Sequence, residues 1–273
     1  MNPADPNALG ALRELYLGAL GPLVALAIPA ARMLGVFTLL PLFTRLGITG
    51  LIRGGVALAL ALPFAAGLPG QAEIAATGGV ALTLLLVKET MLGVLIGLVA
   101  GVPFWIAEAA GELIDQQRGS ESALLPDPSG TQEAGITGTL LVLTSATVFM
   151  SAGGLRVLQE GVFQSYAVWP AAALLPTFSP DAALLTLQTL DSLMAGGLIL
   201  ASPLLVAMLL TEFSLGLISR FAPQLNVFDL AMAVKGIVYV VGLPIYAIVL
   251  VGYLRDGLSP LGYLAQQMRG FAG

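Results

Sequence analysis

Ser192–Thr211 reads SLMAGGLILASPLLVAMLLT, twenty residues without one ionisable side chain. At 1.5 Å of rise per residue, a helical run of that length crosses the roughly 30 Å hydrocarbon core of a bilayer. Two further runs are equally clean: Ala134–Leu155 with 22 residues and Gly236–Leu254 with 19. Each predicts an apolar helix. The pattern of Thr90–Ala107 begins earlier and takes Lys88 and Glu89 into a longer helix. Leu15–Ala31 continues past Arg32 to Leu40, a long first helix with an embedded charge. Gly54–Ala72 contains Pro63 and Pro69 and reads as a short or broken span. Gly161–Pro180 lacks charge but holds Pro170, Pro176 and Pro180, and reads as a loop or re-entrant piece.

Composition agrees with these runs. Of 273 residues, 57% are apolar and 27 are charged (11 Lys+Arg and 16 Asp+Glu), about 10% against roughly 25% in soluble domains. A compact soluble monomer of this size would expose on the order of 11,000 Å², leaving about 400 Å² for each charge. Water does not keep such a surface monomeric. The expected fold is all-α: membrane-embedded helical hairpins, about six long apolar helices, several broken by Pro or Gly. The chain reads as a single membrane domain, with N-terminal hairpins in residues 1–110 and a polar loop in 111–133. C-terminal hairpins follow in 134–255 and a short tail in 256–273. The apolar stretch after Arg13 is flanked by Asp5 and Glu14 and outruns a signal peptide's h-region, so it is expected to be retained.

Several function classes fall away. The sequence has no Cys and no His, which removes thiol and imidazole nucleophiles, disulfides, haem and most zinc or copper sites, and no metal or cofactor is expected. A net charge of −5 with scattered Lys and Arg offers no basic stripe for nucleic acid. Loop charge gives no orientation: Arg13, Arg156, Arg255 and Arg269 fall on one side, and Arg45, Arg53, Arg118, Arg220 and Lys235 on the other. Either the positive-inside rule is too weak for so small a sample, or these hairpins do not all end as ordinary lipid-facing spans.

Gly93, Gly97 and Gly101 recur every four residues on one helix face, where another backbone can approach closely. Glu108, Glu112 and Asp115 follow at rotations of about 60°, 100° and 40° from Gly93, so a close-packing stripe runs into an acidic one. That stripe is either a solvated helix end or an acidic edge facing a water-filled conduit. The longest polar stretch comes next, Gly111–Gly119 (GELIDQQRG) with Asp127–Gly130 (DPSG). Asp115 and Arg118 are spaced to pair across a turn, with Gly119 free to take a left-handed end conformation; Gln117 lies between them. This is either a capped helix terminus or a polar loop able to open or block a path. No nucleophile with a base and no metal cage is visible.

Arg32, Lys88, Glu89 and Lys235 are ionisable groups inside apolar segments and call for interior partners. Lys88 and Glu89 are adjacent, about 100° apart on a helix, and are expected to meet a different helix or subunit each rather than one another. Around Pro223 a helix breaks and then restarts toward Lys235. Gln224 and Asn226 would be costly against acyl chains, so this elbow is expected to be buried against partners.

Taken together, these motifs resemble the FliR/SctT family, the export-apparatus subunit of flagellar and virulence-associated type III secretion systems. The resemblance covers about residues 10–255 and rests on Arg32-Met-Leu-Gly-Val-Phe with Pro41-Leu-Phe43 and Arg53, Lys88-Glu89 with Gly93 and Gly97, and Asp115-Gln-Gln-Arg-Gly119 with Asp127-Pro-Ser-Gly130. The most specific block is Arg220-Phe-Ala-Pro-Gln-Leu-Asn-Val-Phe228. The Asp-Gln-Gln-Arg-Gly form looks more like the injectisome branch than the flagellar one. Asp229 and Ala233 depart from the pattern, standing where an apolar residue and a proline are expected.

The resemblance implies a non-enzymatic subunit of the bacterial inner membrane that joins SctR-like and SctS-like subunits in a pore for unfolded protein substrates. An SctU-like switch protein and an SctV-like gate are implied neighbours, and the assembly is implied to be raised toward the periplasm. Glu108, Glu112, Asp115, Gln117, Arg118 and Gly119 would then belong to a plug in the closed pore. Arg32, Lys88, Glu89, Gly93, Gly97, Gly101, Pro223, Gln224, Asn226, Phe228 and Lys235 would pack against other subunits. The alternative from the residues alone is a secondary transporter using the broken helices near Pro63 and Pro223 around a mid-membrane site.

Overall fold

A computed structural model describes residues 6–45, 47–48, 50–65, 67, 74, 78–119, 135–222, 224, 226–258 and 264–272. Every regular element among them is helical. In chain order they are α1 (Pro6–Leu39), α2 (Pro41–Arg45), α3 (Gly50–Ala65), α4 (Gly79–Arg118), α5 (Ile136–Ser151), α6 (Gly154–Val168), α7 (Ala182–Ser219), α8 (Val227–Leu258) and α9 (Leu264–Ala272).

Proline sets the first boundary. Leu40 precedes Pro41 and is pushed out of the helical region, so α1 stops at Leu39 and Pro41 starts α2. At the end of α4, Gly119 adopts φ +80 and its N–H bonds to the Gln116 carbonyl at 3.0 Å. That left-handed cap is the one its sequence position predicts. Between α5 and α6 the chain turns at Ala152 and Gly153, the latter with φ +74.

Within the described residues, Leu20–Leu39, Gly79–Arg118, Ala182–Ser219 and Asp229–Tyr253 are long and apolar enough to cross a membrane. The bent pair α5 and α6 makes a broken fifth span or a re-entrant piece, and α3 is a shorter apolar helix of 16 residues. These segments account for the expected six. Three expectations are corrected. The clean run Ala134–Leu155 is not one helix, because Gly153 takes a conformation that breaks it. Residues 161–168, expected in a loop or re-entrant piece, are helical and belong to the bent pair; the loop alternative fails because the prolines that signalled it all lie at or beyond Pro170, after α6 has ended. The polar loop expected from residue 111 starts later, since α4 remains helical to Arg118.

The chain divides into two compact units, Met1–Gly101 with Leu155–Leu185 and Leu261–Gly273, and Val102–Gly154 with Thr186–Pro260. In the first, α1 packs against α3 and the N-terminal part of α4, burying Ile28, Met33, Val36, Phe37, Leu92 and Ile96. A side chain on Gly93 would strike the Arg32 carbonyl, and one on Gly35 would strike Thr90 O and Gly93 Cα, so these backbones touch. The aromatic pairs Phe37–Phe43 and Phe64–Phe163, with centroids 4.1 and 5.3 Å apart, close the rest. In the second unit, Ala107, Ala110, Ile114, Leu141, Leu200, Leu204, Met208, Tyr246 and Leu250 form one core. Gly196 and Gly197 meet Ile106 and Ala109, and the Tyr246 hydroxyl donates to the Leu200 carbonyl.

Candidate functional site

Most of the polar residues singled out in the sequence collect into two clusters, one in each unit. In the first unit Arg32 is fully buried on α1, and its three donor nitrogens go to three different groups. Nε donates to Glu89 Oε2 at 2.6 Å, one terminal nitrogen to Ser165 Oγ at 2.7 Å, and the other to the Trp169 carbonyl at 3.1 Å. The guanidinium also lies 3.6 Å from the centroid of the Tyr166 ring. Lys88 donates to the carbonyls of Pro170, Ala171 and Ala173 at 3.0, 3.0 and 2.8 Å. Those three bonds use all its protons. Its Nζ is also 2.8 Å from Glu89 Oε1, an ion-pair contact without a hydrogen bond's angle.

Two cations and one carboxylate leave this buried cluster with a positive excess. It sits just past the C-terminal end of α6 at Val168, where the helix dipole favours positive charge. The expectation that Lys88 and Glu89 avoid each other is therefore corrected. A four-methylene stem lets the ammonium swing back across the 100° that separates the two Cα–Cβ bonds. Their other contacts, expected on a different helix or subunit, lie in this chain. Gly93 and Gly97 make the backbone seam with α1 described above; Gly97 would meet Val36. Gly101 is buried.

In the second unit the acidic stripe of α4 receives the first residues of α5. The α5 N-cap is Gly135, which has no side chain to satisfy the orphan N–H groups of a helix start. Carboxylates from α4 do it instead. Glu112 Oε1 accepts the Gly135 N–H at 2.8 Å, and Asp115 Oδ2 accepts the Thr137 N–H at 2.7 Å. Asp115 Oδ1 takes the Thr137 hydroxyl at 2.6 Å and Arg118 at 2.9 Å. The Thr137 hydroxyl has one proton, already committed to the carboxylate, so the Tyr239 hydroxyl 2.9 Å away is the donor to Thr137 Oγ1. The Arg118 guanidinium lies 4.4 Å from the Tyr239 ring centroid. One helical turn earlier on α8, Lys235 reaches Glu212 of α7 at 3.3 Å, and Gln117 donates to the same Glu212 oxygen at 3.1 Å.

Asp115 is 2% exposed, so this member of the stripe is not at a solvated helix end, while Glu108 and Glu112 are half-buried. Close backbones make that burial possible: a side chain on Gly111 would overlap Gly138, and one on Gly135 would overlap the Asp115 carboxylate. Glu108 is half-buried and engaged. The plug residues named from the resemblance, Glu108 to Gly119, are all described, whereas the segment between Gly119 and Gly135, with the rest of the expected plug, lies outside the described residues, as does Pro223. Gln224 and Asn226 are exposed, and the Asn226 amide donates to Asp229 at 2.5 Å. Asp229 is an acid in the first turn of α8, where the helix dipole favours it. Phe228 also falls in that turn.

Sequence reasoning missed Ser165, Tyr166, Thr137, Tyr239, Glu212 and Gly35. Two of them carried a signal. Thr137 stands at the head of an apolar run, where hydroxyl residues cap helices, and Tyr239 is four residues from Lys235 and so shares its face. Among the described residues no group of three or more acidic, Cys or His side chains could hold a metal ion.

The fold and these clusters define a polytopic helical membrane protein whose polar groups hold helices together. The profile of the bacterial export proteins, family 1, matches residues 23–260. The chain is 37% identical over 238 residues to the Yop proteins translocation protein T of Yersinia pestis, covering 87% of this chain and 91% of that protein. It is 32% identical over 205 residues to the surface presentation of antigens protein SpaR of Shigella flexneri, covering 74% and 78%. It is 28% identical over 246 residues to the flagellar biosynthetic protein FliR of Pectobacterium carotovorum, covering 89% and 85%. The chain belongs to the bacterial export proteins, family 1, the FliR/SctT family of the type III secretion export apparatus, and is nearer the translocation branch than the flagellar one.

Proposed function

We propose that this chain is a non-enzymatic subunit of the type III export gate in the bacterial inner membrane. It co-assembles with SctR-like and SctS-like subunits, beside SctU-like and SctV-like neighbours and raised toward the periplasm, around a pore for unfolded proteins. Family membership supports this reading, and so do apolar helices whose outer faces stay uncovered, such as Phe213, Ile245 and Ile248 at 72, 71 and 81% exposure.

The observation that carries the gate assignment is the clasp made by Glu112, Asp115, Arg118, Thr137 and Tyr239. Asp115 binds residues on both sides of the 120–134 segment, Arg118 before it and Thr137 after it. Both ends of the 120–134 segment are thereby fixed to the same carboxylate, which is how a closure that must reseat after each passage should be mounted. Gln224 and Asn226 on the elbow supply polar groups for subunit contact.

Deleting residues 119–125 in the assembled complex should raise leakage of small ions while the subunits still co-purify. Unchanged permeability in an intact complex overturns the plug. A wild-type chain that purifies alone and moves a solute in liposomes overturns the subunit reading in favour of a transporter.

A further inference from the structure

The three carbonyls that receive Lys88 belong to one short turn after α6, Pro170, Ala171 and Ala173, and they converge on a single point. Backbone carbonyls converging in this way repel one another unless a cation sits among them, the arrangement by which ion-selective sites replace a hydration shell. A carboxylate oxygen, Glu89 Oε1, completes the set at 2.8 Å. We propose that this turn is a monovalent-cation site filled by the tethered ammonium of Lys88, and that its native shape depends on a cation rather than on the lysine stem.

The oxygen distances, 2.8–3.0 Å, are wider than the about 2.3–2.6 Å of a Ca²⁺ shell and suit an ammonium or a similarly large monovalent ion. Glu89 and Arg32 are the other charged groups at the site; the Arg32 nitrogens donate to Glu89, Ser165 and the Trp169 carbonyl rather than to the three carbonyls that receive Lys88. Beside Lys88 lies a small cavity of about 80 Å³, lined also by Val168, Trp169, Ala173, Pro176 and Thr177. It gives a small cation a place to enter once the side chain is cut back.

The turn carries its own reporter. Trp169 is 2% exposed and its indole N–H donates to the Thr177 carbonyl at 2.9 Å, across the loop that Lys88 gathers. The chain has only two tryptophans, so Trp105→Phe leaves Trp169 alone. In that background, Lys88→Ala should shift Trp169 emission to the red and raise iodide quenching several-fold. Ethylammonium chloride, which restores the missing end of the side chain, should reverse most of both changes, whereas tetramethylammonium chloride at equal ionic strength should not, being too large for the site.

Lys88→Met, which keeps the stem's volume without the charge, should show the same red shift and serves as the second variant where Lys88→Ala accumulates poorly. A wild-type spectrum from Lys88→Met, or equal recovery with tetramethylammonium, overturns the proposal, since packing or bulk salt would then hold the turn. These readouts need only the folded chain, so their failure is separable from failure of the export-gate reading.

Discussion

Asp115 shows how one carboxylate can settle three problems at once. It caps a foreign helix, orients the Thr137 hydroxyl and pairs with Arg118, and it does so with almost no water. A charge-assisted hydrogen bond contributes about 1.5–3 kcal/mol when its partner would otherwise be left buried and unpaired. Asp115→Asn keeps the shape but swaps one acceptor for a donor facing the Thr137 N–H or hydroxyl. It should lower unfolding stability in detergent by about that amount, 1.5–3 kcal/mol. Thr137→Val should cost less, because it leaves the Thr137 N–H bond intact, and a larger loss from Thr137→Val than from Asp115→Asn would rule out the carboxylate as the centre of the clasp. The Asp115–Arg118 pair and the Gly119 cap were readable because both depend on spacing within one helix. Lys88 with its turn was not, because the carbonyls it binds are 82 to 85 residues away and a flexible stem hides direction.

At the scale of elements, glycine does two different jobs that spacing alone does not separate. On α4, Gly93 leaves no room at all: an added methyl would run into the Arg32 carbonyl, part of a rigid helix backbone. On α3, Gly54 has nothing within 4 Å of the same added atom. Gly93→Ala should therefore push α1 and α4 apart and destabilise by about 1–3 kcal/mol or more, the usual range for overpacking. Gly54→Ala should instead be neutral or stabilising by up to about 1 kcal/mol, since it removes the entropic cost of glycine inside a helix. Thermal unfolding of the two variants side by side separates the cases, and equal effects would show the seam to be compliant. The four-residue glycine repeat pointed to a seam in the sequence, but its partner Gly35 is far along α1 from the next glycine, Gly21, and belongs to no such repeat. The break between α5 and α6 was equally hidden. Glycine is common in apolar spans, so Gly153 and Gly154 raise no alarm in the sequence, and only the positive φ of Gly153 reveals a corner.

For the whole molecule, the useful division is between charges that hold this chain together and polar groups left for something else. Arg32, Glu89 and Lys88 pair with one another and with other groups of this chain, whereas Gln224 on the elbow is exposed. Breaking a buried ion pair by removing one member leaves an uncompensated charge and costs about 3–5 kcal/mol. Arg32→Gln should thus reduce the folded yield of the isolated chain, and any loss of co-assembly should follow that yield in proportion. Gln224→Lys should behave in the opposite way. It adds charge at a site open to water in the lone chain, so thermal stability should change by less than about 0.5 kcal/mol. If the elbow is a central contact, the same substitution should weaken co-purification with the neighbouring subunits by about 2 kcal/mol, roughly 30-fold. Measuring monomer unfolding and pull-down yield on both variants places each residue on one axis or the other. Should Gln224→Lys assemble normally, the elbow is only a connection between α7 and α8, and the uncovered apolar faces of those helices would have to carry the contacts instead.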